Sequence, residues 1–117
     1  MAFDAYDAFL AVEAPIRVFK GKPIVNTVFV YANDDDTAYD FSGQVGYGLR
    51  VWDGRAKNKL LYEWTQGSGL TLVSSSIYWS ASTTEMNFQL GKMYYEAYSL
   101  NSGGYEIVLR YGDFIVI

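Results

Sequence analysis

The chain has 117 residues, enough for one domain around a single core and too few for two. Half of the residues are hydrophobic and 18% are aromatic, whereas only 19% are charged, so the composition predicts a packed protein and excludes a disordered one. The formal net charge is -4, and basic residues are concentrated only at 55–59. This balance argues against a nucleic-acid partner, which requires a positive stripe to neutralise phosphates.

The sequence contains neither cysteine nor histidine. The lack of Cys removes disulfides, thiolate zinc sites and a thiol nucleophile. The lack of His removes the usual general base near neutral pH and the commonest transition-metal ligand. We therefore expect a protein that is not an enzyme, and we assign it no catalytic residue, no cofactor and no metal site.

Residues 1–15 predict an N-terminal arm or a first strand. Their apolar residues fit helical spacing as well as a short strand, and we favour a strand from Ala8 to Val12. Asp4 and Asp7 interrupt the apolar run and no basic residue precedes Arg17, so a secretory signal and a membrane span are not expected. We expect synthesis in the cytoplasm and no insertion into a membrane.

The first half of the domain predicts three strands. The first runs from Ile16 to Lys20, and the clearest, Ile24–Tyr31, is rich in β-branched and aromatic residues with apolar side chains on both faces. This pattern predicts a central strand. The third strand, Val45–Trp52, carries Gly46 and Gly48 on one face, which predicts a flattened or closely approached surface there.

The middle of the chain predicts shorter strands. The turn signal Asp53–Gly54 leads into a partner strand, Lys59–Trp64. Residues 70–81 then predict one bent strand or two short ones. Ser82–Glu85 has the form of a capping box, which predicts one helical turn over Thr83–Phe88 that crosses between sheets.

The last third predicts a β-hairpin that closes the domain. Two runs rich in aromatic and β-branched residues, Gly91–Leu100 and Tyr105–Ile117, are separated by four turn-forming residues. Seven or eight short strands spaced by turn signals favour a sandwich over a layered α/β fold. We therefore predict an all-β, immunoglobulin-like antiparallel β-sandwich of about seven strands that spans residues 16–117.

Several segments resemble the immunoglobulin-like domains of tailed-bacteriophage virion proteins. They are Lys20-Gly-Lys-Pro23, Tyr39-Asp-Phe-Ser-Gly43, Gly91-Lys-Met-Tyr-Tyr-Glu96 and Tyr111-Gly-Asp-Phe-Ile-Val116. The resemblance extends over residues 16–117 and is greatest to the N-terminal domain of phage baseplate upper proteins and to related single-domain tail or capsid accessory proteins. It implies a non-enzymatic structural subunit located in the virion, whose partners are other virion subunits and copies of itself.

One position departs from this group. Where its members often have a Tyr two residues after the glycine, like the tyrosine corner of immunoglobulin-like sandwiches, this chain has Met93. Tyr94 and Tyr95 are the candidates to replace the hydrogen bond that the corner makes to upstream backbone.

The aromatic residues suggest an interaction surface. A small core does not easily hide all of them, and exposed aromatics mark a protein interface or a platform for sugar rings. The alternative function is therefore a carbohydrate-binding module in which Trp52, Trp64 or Trp79 stacks on a cell-surface glycan. The ordinary interpretation, sheets lined with partly exposed aromatics, accounts for much of the pattern. The residues concerned are Trp52, Trp64, Tyr78, Trp79, Tyr94 and Tyr98.

Two groups of carboxylates are also candidates. Glu63 and Glu96 lie among aromatics as the paired acids of glycosidases do, but a Glu on the solvent face of a strand is the commoner case. The acidic cluster at Asp34–Asp36 and Asp40 lacks the spacing and the distal Glu of a calcium loop, so a solvated turn is favoured.

The chain ends are the predicted contact segments. A short apolar strand at a chain end is free to pair outside its own domain. We therefore expect Asp113–Ile117 and the N-terminal arm to contact neighbouring subunits through main-chain hydrogen bonds.

Overall fold

A computed structural model describes residues 12–30, 44–73 and 76–117. Within these ranges the chain forms β-strands and turns, and no helix long and apolar enough to cross a bilayer occurs. The strands are β1 (Val12–Glu13), β2 (Ile16–Val18), β3 (Ile24–Val30), β4 (Gln44–Trp52), β5 (Leu60–Gln66), β6 (Gly69–Val73), β7 (Ser76–Ala81), β8 (Gly91–Asn101) and β9 (Glu106–Val116).

All strands belong to one sheet that folds over into two layers. The hydrogen-bonded order is β1-β9-β8-β4-β5-β6-β7-β3, and β2 also pairs with β9. Between β5 and β6 only two residue pairs connect the strands, and there the sheet turns back on itself. The rings of Trp79 on β7 and Phe114 on β9 consequently meet across the interior, with centroids 6.3 Å apart.

This strand arrangement confirms the all-β, immunoglobulin-like sandwich. The layer β3-β7-β6 matches strands B, E and D of such domains, and the layer β5-β4-β8-β9 matches C′, C, F and G. The described residues differ from the prediction in two details. They form nine strands where about seven were predicted, and the sheet is mixed because β1 and β2 pair with β9 in parallel, as do β5 and β6.

An aromatic cluster fills the space between the layers. Trp64 and Trp79 meet edge to face with ring centroids 5.0 Å apart, and Phe88 does the same with Phe114 at 5.4 Å. Such pairs contribute about 0.5–1.5 kcal/mol beyond the burial of their area. Phe88 reaches this cluster from the β7–β8 connection, where Ser82 and Glu85 form the predicted capping box through two reciprocal backbone hydrogen bonds of 2.7 and 3.1 Å. A single turn closes there, and no helix follows in the described residues.

The prediction of a central β3 was wrong. β3 pairs with β7 on one side, and no other described strand pairs with its second edge. Some of its apolar side chains are exposed to solvent, with 73% of Val25 and 44% of Val28 accessible.

The C-terminal strand is not free to pair elsewhere, contrary to expectation. β9 pairs with β8 along one edge and with β1 and β2 along the other. The end of the chain is fixed as well, because Ile117 donates to the Val18 carbonyl at 2.9 Å and its own carbonyl accepts from Lys20 at 3.0 Å. The N-terminal segment thus serves as an edge strand of its own sheet from Val12 onward, and the rest of the strand predicted from Ala8 lies outside the described residues.

Tyr95 takes over part of the role of a tyrosine corner. The Met93 side chain is buried in the core, whereas the Tyr95 hydroxyl donates to the Ala14 carbonyl at 2.6 Å and accepts from Arg110 Nε at 3.1 Å. The partner of Tyr95 lies in the N-terminal segment, so this bond holds that segment against β9. Tyr94 instead donates to Glu96 at 2.9 Å.

Candidate functional site

The outer face of the layer β5-β4-β8-β9 concentrates the polar and aromatic candidates. Successive strand residues point to opposite faces, so alternate positions of β4 and β8 face away from the core. Registers place Arg50 between Glu63 on β5 and Glu96 on β8. The two candidate carboxylates therefore flank a guanidinium on a sheet surface, instead of facing each other across a cleft.

Gly48 provides the space in which the Tyr98 ring lies. A Cβ at Gly48 would fall 2.5 Å from the Tyr98 ring carbon that carries the hydroxyl, closer than real Cβ atoms come. The close approach predicted for this face is confirmed at Gly48. At Gly46 the nearest atom to a Cβ would be Gln66 Oε1 at 3.9 Å, which is ordinary contact.

Arg50 stacks on the Tyr98 ring. Its guanidinium carbon lies 3.9 Å from the Tyr98 ring centroid, within the range of a strong cation–π contact. Arg50 also forms an ion pair with Glu106 at 2.5 Å, while the Tyr98 hydroxyl donates to Glu63 at 2.5 Å. Tyr98 is consequently enclosed by a glycine, a cation and a carboxylate.

The loop 53–59 covers the remaining aromatics of this face. Lys57, in a left-handed backbone conformation with φ of 56°, forms an ion pair with the buried Glu96 at 2.8 Å and lies 5.0 Å from the Trp52 ring centroid. Arg55 lies 5.3 Å from the Tyr94 ring centroid and forms ion pairs with Glu13 and Asp113. Two of the three basic residues of this loop, Arg55 and Lys57, are therefore engaged by acids and rings of the same chain.

The expected sugar platform is not present in the form predicted. Trp64 and Trp79 are only 0% and 1% exposed and lie in the core, so neither reaches a ligand. Tyr94 and Tyr98 are buried under the cations, Trp52 is half-buried beneath Arg50 and Lys57, and Tyr78 is half-exposed on the other layer. The alternation of side chains along a strand predicts which residues share a face of the sheet. It does not predict that residues distant in the sequence cover that face.

The enclosed tyrosines predict a specific response to alkali. Burial, followed by the hydrogen bond to a carboxylate, raises the pKa of both Tyr94 and Tyr98 above the ordinary value near 10. Because the folded state holds these protons more tightly than the unfolded state, the stability they contribute is complete below about pH 10 and is lost as pH rises through the folded-state pKa. We expect the free energy of unfolding to stay level from about pH 8 to 10 and to fall above that.

Urea unfolding at a series of pH values measures this dependence. Tyr98→Phe should flatten the alkaline fall, whereas Tyr105→Phe, at an exposed position in the hairpin turn, should leave it unchanged. An equally steep fall in Tyr98→Phe would contradict the assignment.

The second polar feature is a groove at the opposite end of the sandwich from the β8–β9 turn. It lies where β4 ends and β5 and β8 begin, and its volume is about 790 Å³. The Tyr62 hydroxyl donates to Glu85 at 2.5 Å in its wall and holds the pKa of that carboxyl below its usual range. We call it the basal groove.

Among the described residues, no group of three or more acidic side chains is placed to hold a metal ion. The acidic cluster at Asp34–Asp36 and Asp40 lies outside these residues, as does the segment Tyr39–Gly43 of the phage resemblance. The Glu63 and Glu96 carboxylates are each bonded to a tyrosine and flank a cation, so the arrangement has no free acid–base pair.

The fold defines this chain as an immunoglobulin-like β-sandwich domain. No protein-family model matches the sequence, and neither does any curated protein. Among solved structures, the chain is similar to extracellular domains 3–5 of Drosophila OTK, with 14% identity and a TM-score of 0.34 over 94% of this chain and 33% of that one. The chain thus spans about a third of the length of that structure.

Proposed function

We propose that this chain is a structural subunit of a tailed-bacteriophage virion, without enzymatic activity, that belongs to the tail, baseplate or capsid and assembles through protein–protein contacts. The resemblance of its turn and hairpin segments to phage immunoglobulin-like domains supports the virion assignment. The enclosed aromatic face supports a structural role, because its carboxylates and rings are bonded to residues of the same chain.

The exposed edge of β3 is the observation that carries this proposal. Ile24–Val30 contains no charged residue, and no described strand pairs with its outer edge. Asn26, with φ of 46°, forms a bulge where the register shifts, so regular strand geometry extends from Thr27 to Val30. Unpaired main-chain groups beside exposed valines are the features through which an added strand from a partner gains affinity.

Incorporation into particles tests the proposal. In a phage whose own copy of the gene is deleted, the protein supplied in trans should be recovered in gradient-purified virions. Val28→Lys adds a charge to the edge and should reduce incorporation at least about tenfold, which corresponds to about 1.4 kcal/mol. Immunoblotting of the purified particles measures the effect.

Val45→Lys is the matched control, because Val45 is 61% exposed and lies on β4 in the other layer. It should be incorporated like the wild type. If the wild-type protein remains in the free fraction of the lysate, the virion assignment fails, and if Val28→Lys is incorporated normally, β3 is not the contact.

A further inference from the structure

The basal groove has the form of a binding site for a small ligand. Its volume of about 790 Å³ lies within the range of about 300–1,000 Å³ that such sites occupy. Tyr62 and Phe88 contribute aromatic surface to the lining, and Leu90, which is 66% exposed, adds an aliphatic side chain. A ligand placed here would cover apolar surface that otherwise remains in contact with water.

The charged side chains of the lining balance one another. Asp53 and Glu85 contribute two carboxylates, and Lys59 and Lys92 contribute two ammonium groups, so the formal charges of the lining sum to zero. The groove therefore has no net charge with which to select an anion or a cation. A neutral ligand is favoured, because it enters without the cost of stripping water from an ionised group.

The same lining holds three neutral polar side chains, which are those of Thr84, Asn87 and Gln89. All three are exposed, and none of these side chains has a hydrogen-bond partner in the described parts of the chain. The hydroxyl and the amides both donate and accept, whereas carboxylates only accept and ammonium groups only donate. A hydroxyl group on a ligand matches every one of these groups, because it donates or accepts as required.

Hydrogen bonds to the backbone fix the connection between β7 and β8, which carries these neutral side chains. Besides the capping box, the Met86 N–H donates to the Ser82 carbonyl at 3.0 Å, and the Met86 carbonyl accepts from the Gly21 N–H at 3.0 Å. The Phe88 carbonyl accepts from Lys20 Nζ at 2.6 Å. Because this backbone is already ordered, a ligand loses little free energy in ordering the site.

Polyhydroxyl ligands combine the properties that this lining requires. A sugar ring is neutral, carries several hydroxyl groups, and has C–H faces that pack on aromatic and aliphatic side chains. A peptide fits less well, since each of its backbone amides has a fixed donor and a fixed acceptor. The chemistry of the groove therefore favours a saccharide over a peptide.

We propose that the basal groove binds a neutral oligosaccharide, with a sugar ring on Tyr62 and Leu90 and with hydroxyls bonded to the amides of Asn87 and Gln89. This site differs from the platform predicted on the outer face of the sheet, where cations cover the rings. The inference goes beyond the proposed virion function and does not depend on it.

An immobilised array of neutral oligosaccharides, with sialylated and sulfated counterparts, tests the proposal. The purified protein should bind at least one neutral member with a Kd between about 10 μM and 1 mM, and an added anionic group should not strengthen binding. Titration of that oligosaccharide into labelled protein, followed by two-dimensional nitrogen–proton NMR, should shift the side-chain amide signals of Asn87 and Gln89.

Asn87→Ala with Gln89→Ala should raise this Kd at least tenfold. Gln66→Ala is the matched control, because Gln66 is an exposed amide outside the groove, and it should bind like the wild type. Circular dichroism and thermal unfolding establish that each variant is folded.

Four results would each overturn the proposed site. They are no binding to any neutral oligosaccharide up to about 10 mM, binding to the anionic glycans alone, NMR shifts confined to residues outside the groove, and unchanged binding by the double variant. Incorporation into virions together with any of them would reject this site alone. Binding in the groove without incorporation would reject the virion function alone.

Discussion

Gly48→Ala should lower the free energy of unfolding by about 2–4 kcal/mol. The added methyl group would overlap the Tyr98 ring, which is held by the stacked Arg50 guanidinium and, at its hydroxyl, by Glu63. The ring cannot move without loosening both contacts. Urea unfolding, followed by circular dichroism, measures the change.

Gly46→Ala is the matched control on the same strand face. A Cβ there meets only Gln66 Oε1 at 3.9 Å, so we expect a change within about 0.5 kcal/mol. A double-mutant cycle then locates the cause, because Gly48→Ala should cost little once Tyr98→Ala has removed the ring. Equal losses of unfolding free energy in Gly46→Ala and Gly48→Ala would show that the Tyr98 ring does not limit the space at Gly48.

Gly112→Ala should also lower the free energy of unfolding by about 2–4 kcal/mol. Gly112 has φ of 150°, and a Cβ there would fall 2.6 Å from the Ala14 carbonyl oxygen, the atom that accepts the Tyr95 hydrogen bond. The substitution should push β1 away from β9 and break that bond. Hydrogen exchange of β9 amides, together with urea unfolding, measures both effects.

Gly54→Ala provides the comparison, because no atom lies within 4 Å of a Cβ at that position and its φ is not in the left-handed region. We expect unfolding and exchange like those of the wild type. In Gly112→Ala, faster exchange confined to β9 would show that β1 is released locally. Unchanged exchange would mean that the close approach of Ala14 to Gly112 does not hold the N-terminal segment in place.

Local sequence patterns predicted much of the fold. The closing hairpin, the Ser82–Glu85 capping box and the close approach at Gly48 depend on turn chemistry or strand alternation over a few residues, and all three are present in the structure. The central position of β3 could not be decided this way, because an exposed edge strand and a buried strand can have the same run of apolar residues. Strands that pair with each other are distant in the sequence, and the local pattern of one strand does not identify its partner.

The candidate surface was harder to predict for a related reason. Alternation along β8 places Tyr94 and Tyr98 on one face and Tyr95 on the other, but it does not decide which face is turned outward. The structure places Tyr95 in the core cluster and Tyr94 and Tyr98 outside it. Their cover depends on Arg50 and Arg55, whose side chains reach these rings from β4 and from the loop 53–59. Likewise, the residues around Trp64 in the sequence do not indicate whether its indole lies in the core or at the surface.

The placement of the three indoles gives the protein an internal optical reporter. Trp64 and Trp79 lie in contact within the dry interior, so their emission follows the integrity of the sandwich. Trp52 alone lies under the cationic loop, and its accessibility to a quencher such as acrylamide follows the position of that loop. Tryptophan fluorescence can thus follow unfolding of the domain and displacement of the loop 53–59 separately, without an added dye.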